Sequence, residues 1–116
     1  MDEGIKEIEY AVFYARVSTK KEEQEESLEN QNSLKEIYLK SHPNIKCIAE
    51  YSEQVSGKSD LRPEYQKMIE RAKDPLVKYI MVKDTKRLYR SSAVAYEFKE
   101  TLKKYGLKLI LLSTGQ

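Results

Sequence analysis

The sequence predicts a three-layer α/β domain in which a mainly parallel sheet of four to five strands is flanked by helices. Short apolar runs alternate along the chain with stretches of helical periodicity, and each run is separated from the next by a helix-length segment. That alternation implies parallel pairing through right-handed crossovers. With 116 residues, 40% of them hydrophobic, the chain has material for one core and one domain.

The first strand is centred on Tyr10 to Phe13, which are apolar, aromatic or small, as a central strand requires. In a pleated strand Tyr10, Val12, Tyr14 and Arg16 share one face while Ala11, Phe13, Ala15 and Val17 share the other, and Ser18 continues the first set if extension persists. Ser27 caps a helix that runs to about Ser41, with Glu29 favourably placed in its first turn. On that helix Leu28 and Leu34 bracket an arc with Gln31 at its centre and Tyr38 nearby. An inward-pointing glutamine is either a hydrogen-bonded core amide or part of a site. Ile45 to Tyr51 reads as the second strand. Pro63 opens the second helix, whose Tyr65, Met68, Ile69 and Ala72 fall at core spacing, and Asp74-Pro75 stops it. Tyr79 to Val82 is a short apolar run suited to a strand covered on both faces. Ser91 or Ser92 caps the third helix, with Ala95, Phe98, Leu102 and Tyr105 inward, and Gly106 supplies its C-terminal turn. Leu107 to Leu112 makes the last strand.

Open sheets of this kind bind ligands beyond the carboxyl ends of their strands. The segments leaving those ends begin at Ser18, Ser52 and Lys83, and they carry Ser18, Ser56, Gly57, Lys58, Ser59, Arg62, Arg87 and Arg90. Hydroxyls and cations therefore collect on one edge. The opposite edge receives Ser41 to Asn44, Asp74 to Val77 and Tyr105-Gly106, which offer no comparable cluster. Tyr14-Ala15-Arg16-Val17-Ser18-Thr19 sets an arginine and a hydroxyl at the mouth of the first strand; Ser18 or Thr19 is either a nucleophile or a helix cap. Arginine donates planar, permanently charged hydrogen bonds to phosphate. An edge rich in arginine and poor in clustered carboxylates points to phosphodiester chemistry without a metal. The sequence identifies no general base, since no histidine lies near Ser18.

The formal net charge of +2 does not announce a nucleic-acid binder, although 34% of residues are charged. The distribution is uneven: five glutamates face two lysines between Lys20 and Asn30, whereas five cations face Asp84 alone between Lys78 and Arg90. The single cysteine, Cys47, excludes a disulfide framework and a thiol metal site, and fits a reducing, cytoplasmic setting. His42, beside Pro43, reads as a surface loop residue. No apolar stretch reaches membrane-spanning length, and the acidic start lacks the basic n-region of a signal peptide.

The run Tyr-Ala-Arg-Val-Ser-Thr, a charged spacer, then Gln24, Ser27-Leu28 and Gln31 resembles the N-terminal signature of the serine recombinases, which include resolvases, invertases and the large serine integrases. The long spacer looks most like the large members. Tyr51 through Pro63 resembles that family's second block, and Lys83 through Ser91 its third. Three ordered blocks spanning nearly the whole chain are far more specific than one motif. The resemblance implies a resolvase-like catalytic domain in which Ser18 attacks double-stranded DNA to form a phosphoserine linkage to the 5′ end. It implies that Arg16, Arg87 and Arg90 bind the phosphate, that Arg62 is a further active-site arginine and that Gln31 orders the site. Tyr14 and Ser56 match residues of the same pocket. Strand exchange and religation would then need neither ATP nor metal, and no cofactor. Self-association into dimers and tetramers of the intact protein is implied as well.

Two departures stand out. Glu53 occupies a position where the family usually has aspartate, and Lys86 stands where it commonly has aspartate before the first arginine of the pair. Asp84 lies two residues earlier, and Asp84 and Lys86 read as a solvated turn. Residues 1–116 are expected to be the catalytic domain, ending before the long dimerisation helix and the DNA-binding domains, and to be inactive alone. The competing reading is a non-catalytic DNA-binding or assembly module using the same arginine-rich edge. A nucleotide-binding reading fails because Ser56-Gly57-Lys58-Ser59 lacks the upstream glycine of a phosphate loop.

Overall fold

The computed structural model describes residues 7–18, 27–55, 62–89 and 91–113. Strands β1 (Glu9–Ser18), β2 (Ile45–Val55), β3 (Val77–Val82) and β4 (Lys108–Leu111) form a parallel sheet in the order β2-β1-β3-β4. Between them run α1 (Leu28–Ser41), α2 (Pro63–Ala72) and α3 (Ser92–Tyr105). This is the expected three-layer α/β fold, with four strands among the described residues. The chain steps from β1 to β2 in one direction and then crosses to β3 on the other side of β1. Right-handed crossovers in opposite directions place helices on opposite faces.

The two cores follow the alternation of β1. Val12 and Tyr14 face Tyr65, Met68 and Ala72 of α2 and Phe98 of α3. Ala11, Phe13 and Ala15 face Leu28, Leu34, Tyr38 and Leu39 of α1. Both faces of β1 are thus covered, which is why its residues read as a continuous apolar run.

The predicted caps hold. Ser27 Oγ accepts from Asn30 N at 3.0 Å, and Ser91, rather than Ser92, caps α3 by accepting from Val94 N at 3.3 Å. Each such cap contributes about 1 kcal/mol by satisfying an orphan helix donor. Gly106 ends α3 at φ 65°, in the left-handed region that penalises a β-carbon. His42 closes α1 with its ring stacked on Tyr38, centroids 4.0 Å apart.

Four expectations need correction. The second strand continues past Tyr51 to Val55, so Ser52 and Glu53 lie on the strand, not in the segment leaving it. The third strand begins at Val77 rather than Tyr79, because its ladder with β1 starts at Tyr10↔Val77. The last strand is shorter than Leu107 to Leu112. Tyr105 is exposed rather than inward, its ring flanked by the ammonium groups of Lys73 and Lys104 at 5.9 and 5.6 Å, so the long stems of lysines cover it in place of the core.

One irregularity in β2 matters for the site. Ala11 pairs with Cys47 but Val12 pairs with Ala49, leaving Ile48 as an extra residue. An inserted residue flips every later side chain to the other face. Ile45 and Cys47 accordingly pack on the α1 side, whereas Ala49 and Tyr51 pack on the α2 side, and Glu53 follows them.

Candidate active site

A doubly wound sheet opens a crevice where the strand order reverses, at the carboxyl ends of the two strands that diverge there. Here those strands are β1 and β3, whose ladder stops at Phe13↔Met81, while β1 continues alongside β2 to Ser18↔Val55. The last turns of β1 therefore lack a strand on the β3 side. Gln31, fully buried on α1, supplies the substitute: its Oε1 accepts from Arg16 N at 3.2 Å and its Nε2 donates to Arg16 O at 3.1 Å. A side-chain amide thus stands in for a peptide group, and the reading of Gln31 as an inward polar residue is resolved as a clamp on the β1 backbone.

After β3, Thr85–Arg87 forms a single 3₁₀ turn capped by Asp84, whose Oδ1 accepts from Lys86 N at 3.1 Å. This turn carries the second arginine. Arg87 is buried, donating from Nη1 to Arg16 O at 3.0 Å and from Nε to Asp84 Oδ1 at 3.3 Å. In return Arg16 donates from Nη2 to Lys86 O at 2.6 Å and from Nε to Arg87 O at 3.3 Å. The two arginines lock the end of β1 to the turn after β3. Asp84 is consequently more than a solvated turn residue, because it caps the turn and pairs with Arg87; Lys86 is exposed, as expected, but its carbonyl holds Arg16.

Arg62 joins them from the residue preceding α2. Its Nη2 donates to Arg87 O at 3.0 Å, its Nε and Nη2 both lie 3.4 Å from Tyr14 Oη, and its guanidinium stacks 4.0 Å from the Tyr65 ring centroid. Tyr14 is fully buried and donates to Glu53 Oε2 at 2.6 Å; the same oxygen accepts from Tyr65 N at 3.0 Å. Burial pushes the Tyr14 phenol well above the ordinary tyrosine value, Glu53 adds to the rise and Arg62 opposes it. Burial and the nearby Arg87 and Lys86 lower Lys83 despite the pull of Asp84, consistent with a cationic field at this edge.

Of the predicted site residues, Tyr14, Arg16, Gln31, Arg62 and Arg87 thus meet in one hydrogen-bonded group. Ser18 ends β1 two residues beyond Arg16, at the level of Val55. The Ser18 side chain, Ser56 and Arg90 lie outside the described residues. Sequence reasoning missed the weight of Glu53, which is buried between Tyr14 and the start of α2. Had the bulge been known, its parity with Tyr51 would have been the signal. It also missed Lys35, buried on α1 with Glu50 at 2.6 Å and Glu36 at 3.1 Å. A cavity of about 290 Å³ opens on the α1 side of the sheet, its described lining including Phe13, Leu28, Asn32 and Glu50, and among the described residues Tyr14, Arg16, Gln31, Arg62 and Arg87 do not line it. Among the described residues no group of three His, Cys, Asp or Glu is placed to hold a metal, and no helix is long and apolar enough to cross a membrane.

The arrangement can present several guanidinium donors to one anion from a scaffold whose backbone is fixed on both sides. Comparison with known proteins gives the fold and the family. The structure is similar to a resolvase family site-specific recombinase from Streptococcus pneumoniae, with 26% identity, a TM-score of 0.72, and coverage of 93% of this chain and 74% of that one. It shares its fold with the N-terminal catalytic domain of TP901-1 integrase, at 22% identity, TM-score 0.74 and coverage of 92% and 79%. A serine recombinase from Sulfolobus solfataricus also shares it, at 22% identity, TM-score 0.69 and coverage of 90% and 68%. No curated protein matches the sequence. The family model for the resolvase N-terminal domain matches residues 11–116, so the chain belongs to that family, the catalytic domain of the serine recombinases.

Proposed function

We propose that the chain cleaves and rejoins double-stranded DNA as the catalytic domain of a site-specific recombinase, with Ser18 as nucleophile. The observation that supports this best is the meeting of Arg16, Arg62 and Arg87 at the carboxyl end of β1, the strand that ends at Ser18. Ser18 Oγ attacks the phosphorus, an Oγ–P bond forms, and the bond from phosphorus to the 3′ oxygen breaks. The serine proton passes to an acceptor, and the departing oxygen gains a proton to become a free 3′ hydroxyl. Guanidinium groups from Arg16, Arg62, Arg87 and Arg90 stabilise the charge that spreads over the non-bridging oxygens. The phosphoester linkage to serine conserves the bond for rejoining, so no cofactor enters the scheme. Gln31 and Tyr14 touch no phosphate in this reading; they hold the backbone of Arg16 and the guanidinium of Arg62.

Thymidine 5′-(4-nitrophenyl phosphate) tests this without knowledge of a target sequence. The inactivity expected of residues 1–116 alone concerns strand transfer between DNA ends, whereas attack on this activated ester needs a single site: Ser18 expels 4-nitrophenolate and leaves thymidine 5′-phosphate on the protein, and mass spectrometry of tryptic peptides is expected to locate one such group on Ser18. Absence of the adduct at millimolar ester, or its location elsewhere, overturns nucleophilic catalysis and leaves the non-catalytic module.

DNA binding by the 116-residue chain is expected to be weak and governed by phosphate contacts. With three or four arginines on the backbone, the slope of log affinity against log salt should be about −3, since each neutralised phosphate contributes roughly −0.9. A filter-binding titration that found tight, salt-insensitive and sequence-selective binding would contradict this.

A further inference from the structure

We propose that Asp84 is a positioning residue for the whole arginine group, acting through the Thr85–Arg87 turn. The inference rests on the functional reading above for its consequence, but its basis is geometric. A 3₁₀ turn of three residues has almost no internal ladder to fix its direction. It is closed by Arg87 N donating to Asp84 O at 3.2 Å and Leu88 N to Thr85 O at 3.0 Å, with Leu88 buried behind it. Tyr89 N adds a bond to Thr85 O at 3.3 Å, and the side-chain cap of the turn is the Asp84 carboxylate, whose Oδ1 receives both Lys86 N and Arg87 Nε.

The carbonyls of this turn in turn aim the other two guanidiniums. Lys86 O receives Arg16 Nη2, and Arg87 O receives both Arg16 Nε and Arg62 Nη2. One carboxylate therefore sets the direction of Arg87 directly and of Arg16 and Arg62 through two peptide groups.

The proposal makes a prediction opposite in sign to simple electrostatics. Asp84 is an anion among Lys83, Lys86 and Arg87, so a carboxylate with no positioning role would weaken phosphate binding, and its removal would tighten it. A positioning carboxylate gives the reverse. The test uses the 116-residue chain with Asp84→Ala and Asp84→Asn. Its readouts are the ¹⁵N–¹H resonances of the arginine Nε groups without ligand, and affinity for a short mixed-sequence duplex at low salt. Asp84→Ala is expected to shift the Nε resonances of Arg16, Arg62 and Arg87 together and to weaken duplex binding about fivefold. Asp84→Asn, which keeps an acceptor oxygen, is expected to recover most of both. If circular dichroism shows Asp84→Ala unfolded, Asp84→Ser is read in its place, because its hydroxyl can cap Lys86 N without reaching Arg87. Unchanged Nε resonances, or tighter binding in both the alanine and asparagine variants, would overturn the proposal. A parent chain that fails to bind duplex sinks the functional reading instead, and the ligand-free resonances then still decide the role of Asp84.

Discussion

Replacing Arg87 with alanine is expected to slow formation of the Ser18 adduct by about three orders of magnitude, the scale on which preorganised charge stabilisers act. The effect should exceed that of removing an ordinary surface cation because Arg87 does two jobs. It is a buried cation at the crevice, and its Nη1 holds the carbonyl of Arg16 on the strand that ends at Ser18. Alanine removes the charge and releases β1 from the turn at the same time. Arg87→Lys should recover little, since one ammonium cannot span Arg16 O and Asp84 Oδ1 while also facing a phosphate. The rate of nitrophenolate release and the yield of labelled Ser18 peptide measure both. A loss under tenfold in the alanine variant would place Arg87 outside the chemistry and return it to a structural tie.

Glu53→Ala is expected to cost about 3 kcal/mol of folding stability, read as a lower urea midpoint at an unchanged slope. The carboxylate is buried and serves two donors that water cannot reach in its place, the Tyr14 hydroxyl and the Tyr65 amide at the start of α2. Removing it orphans both and leaves a void beside Tyr14. The same contacts carry a pH dependence. Because burial, aided by Glu53, raises the Tyr14 phenol, the folded chain retains a proton that the unfolded chain gives up. The contribution is therefore complete below the ordinary tyrosine value near 10 and is lost as pH climbs beyond it. Tyr14→Phe should flatten that alkaline decline by up to one proton. An equal slope in the two proteins would mean that Tyr14 is not the group holding it.

Much of this could be read from residue order because local physics was unopposed. Ser27 and Ser91 cap helices through their own side chains, and the core spacing of Tyr65, Met68 and Ala72 follows from the helical repeat. Gln31 was visible as a polar residue on an apolar arc, although the periodicity gave it two meanings. Its contact with the Arg16 backbone separates them, and that contact depends on where the β1–β3 ladder stops. Tyr105 went astray for the complementary reason: helical spacing names a face but not whether core or lysine stems cover it.

The order of residues by itself determined the alternation of strands and helices, the edge on which Arg16, Arg62 and Arg87 gather, and the motifs that place the chain in its family. These follow from periods of two and 3.6 residues and from the rule that parallel strands need crossovers. Only the tertiary structure decided which face Glu53 occupies and what Asp84 does. Ile45, Cys47, Ala49, Tyr51 and Glu53 alternate without interruption along the chain, and an unbroken strand would align all five. The extra residue at Ile48 turns the last three toward α2, bringing Glu53 to Tyr14. Asp84 stands outside any motif register and acquires its role from a turn only one residue longer than the pair it contacts, held against the end of a distant strand. The Glu53 contact joins segments far apart in sequence and is fixed by how the sheet pairs; the bonds of Asp84 are local, and docking of its turn against β1 gives them their consequence.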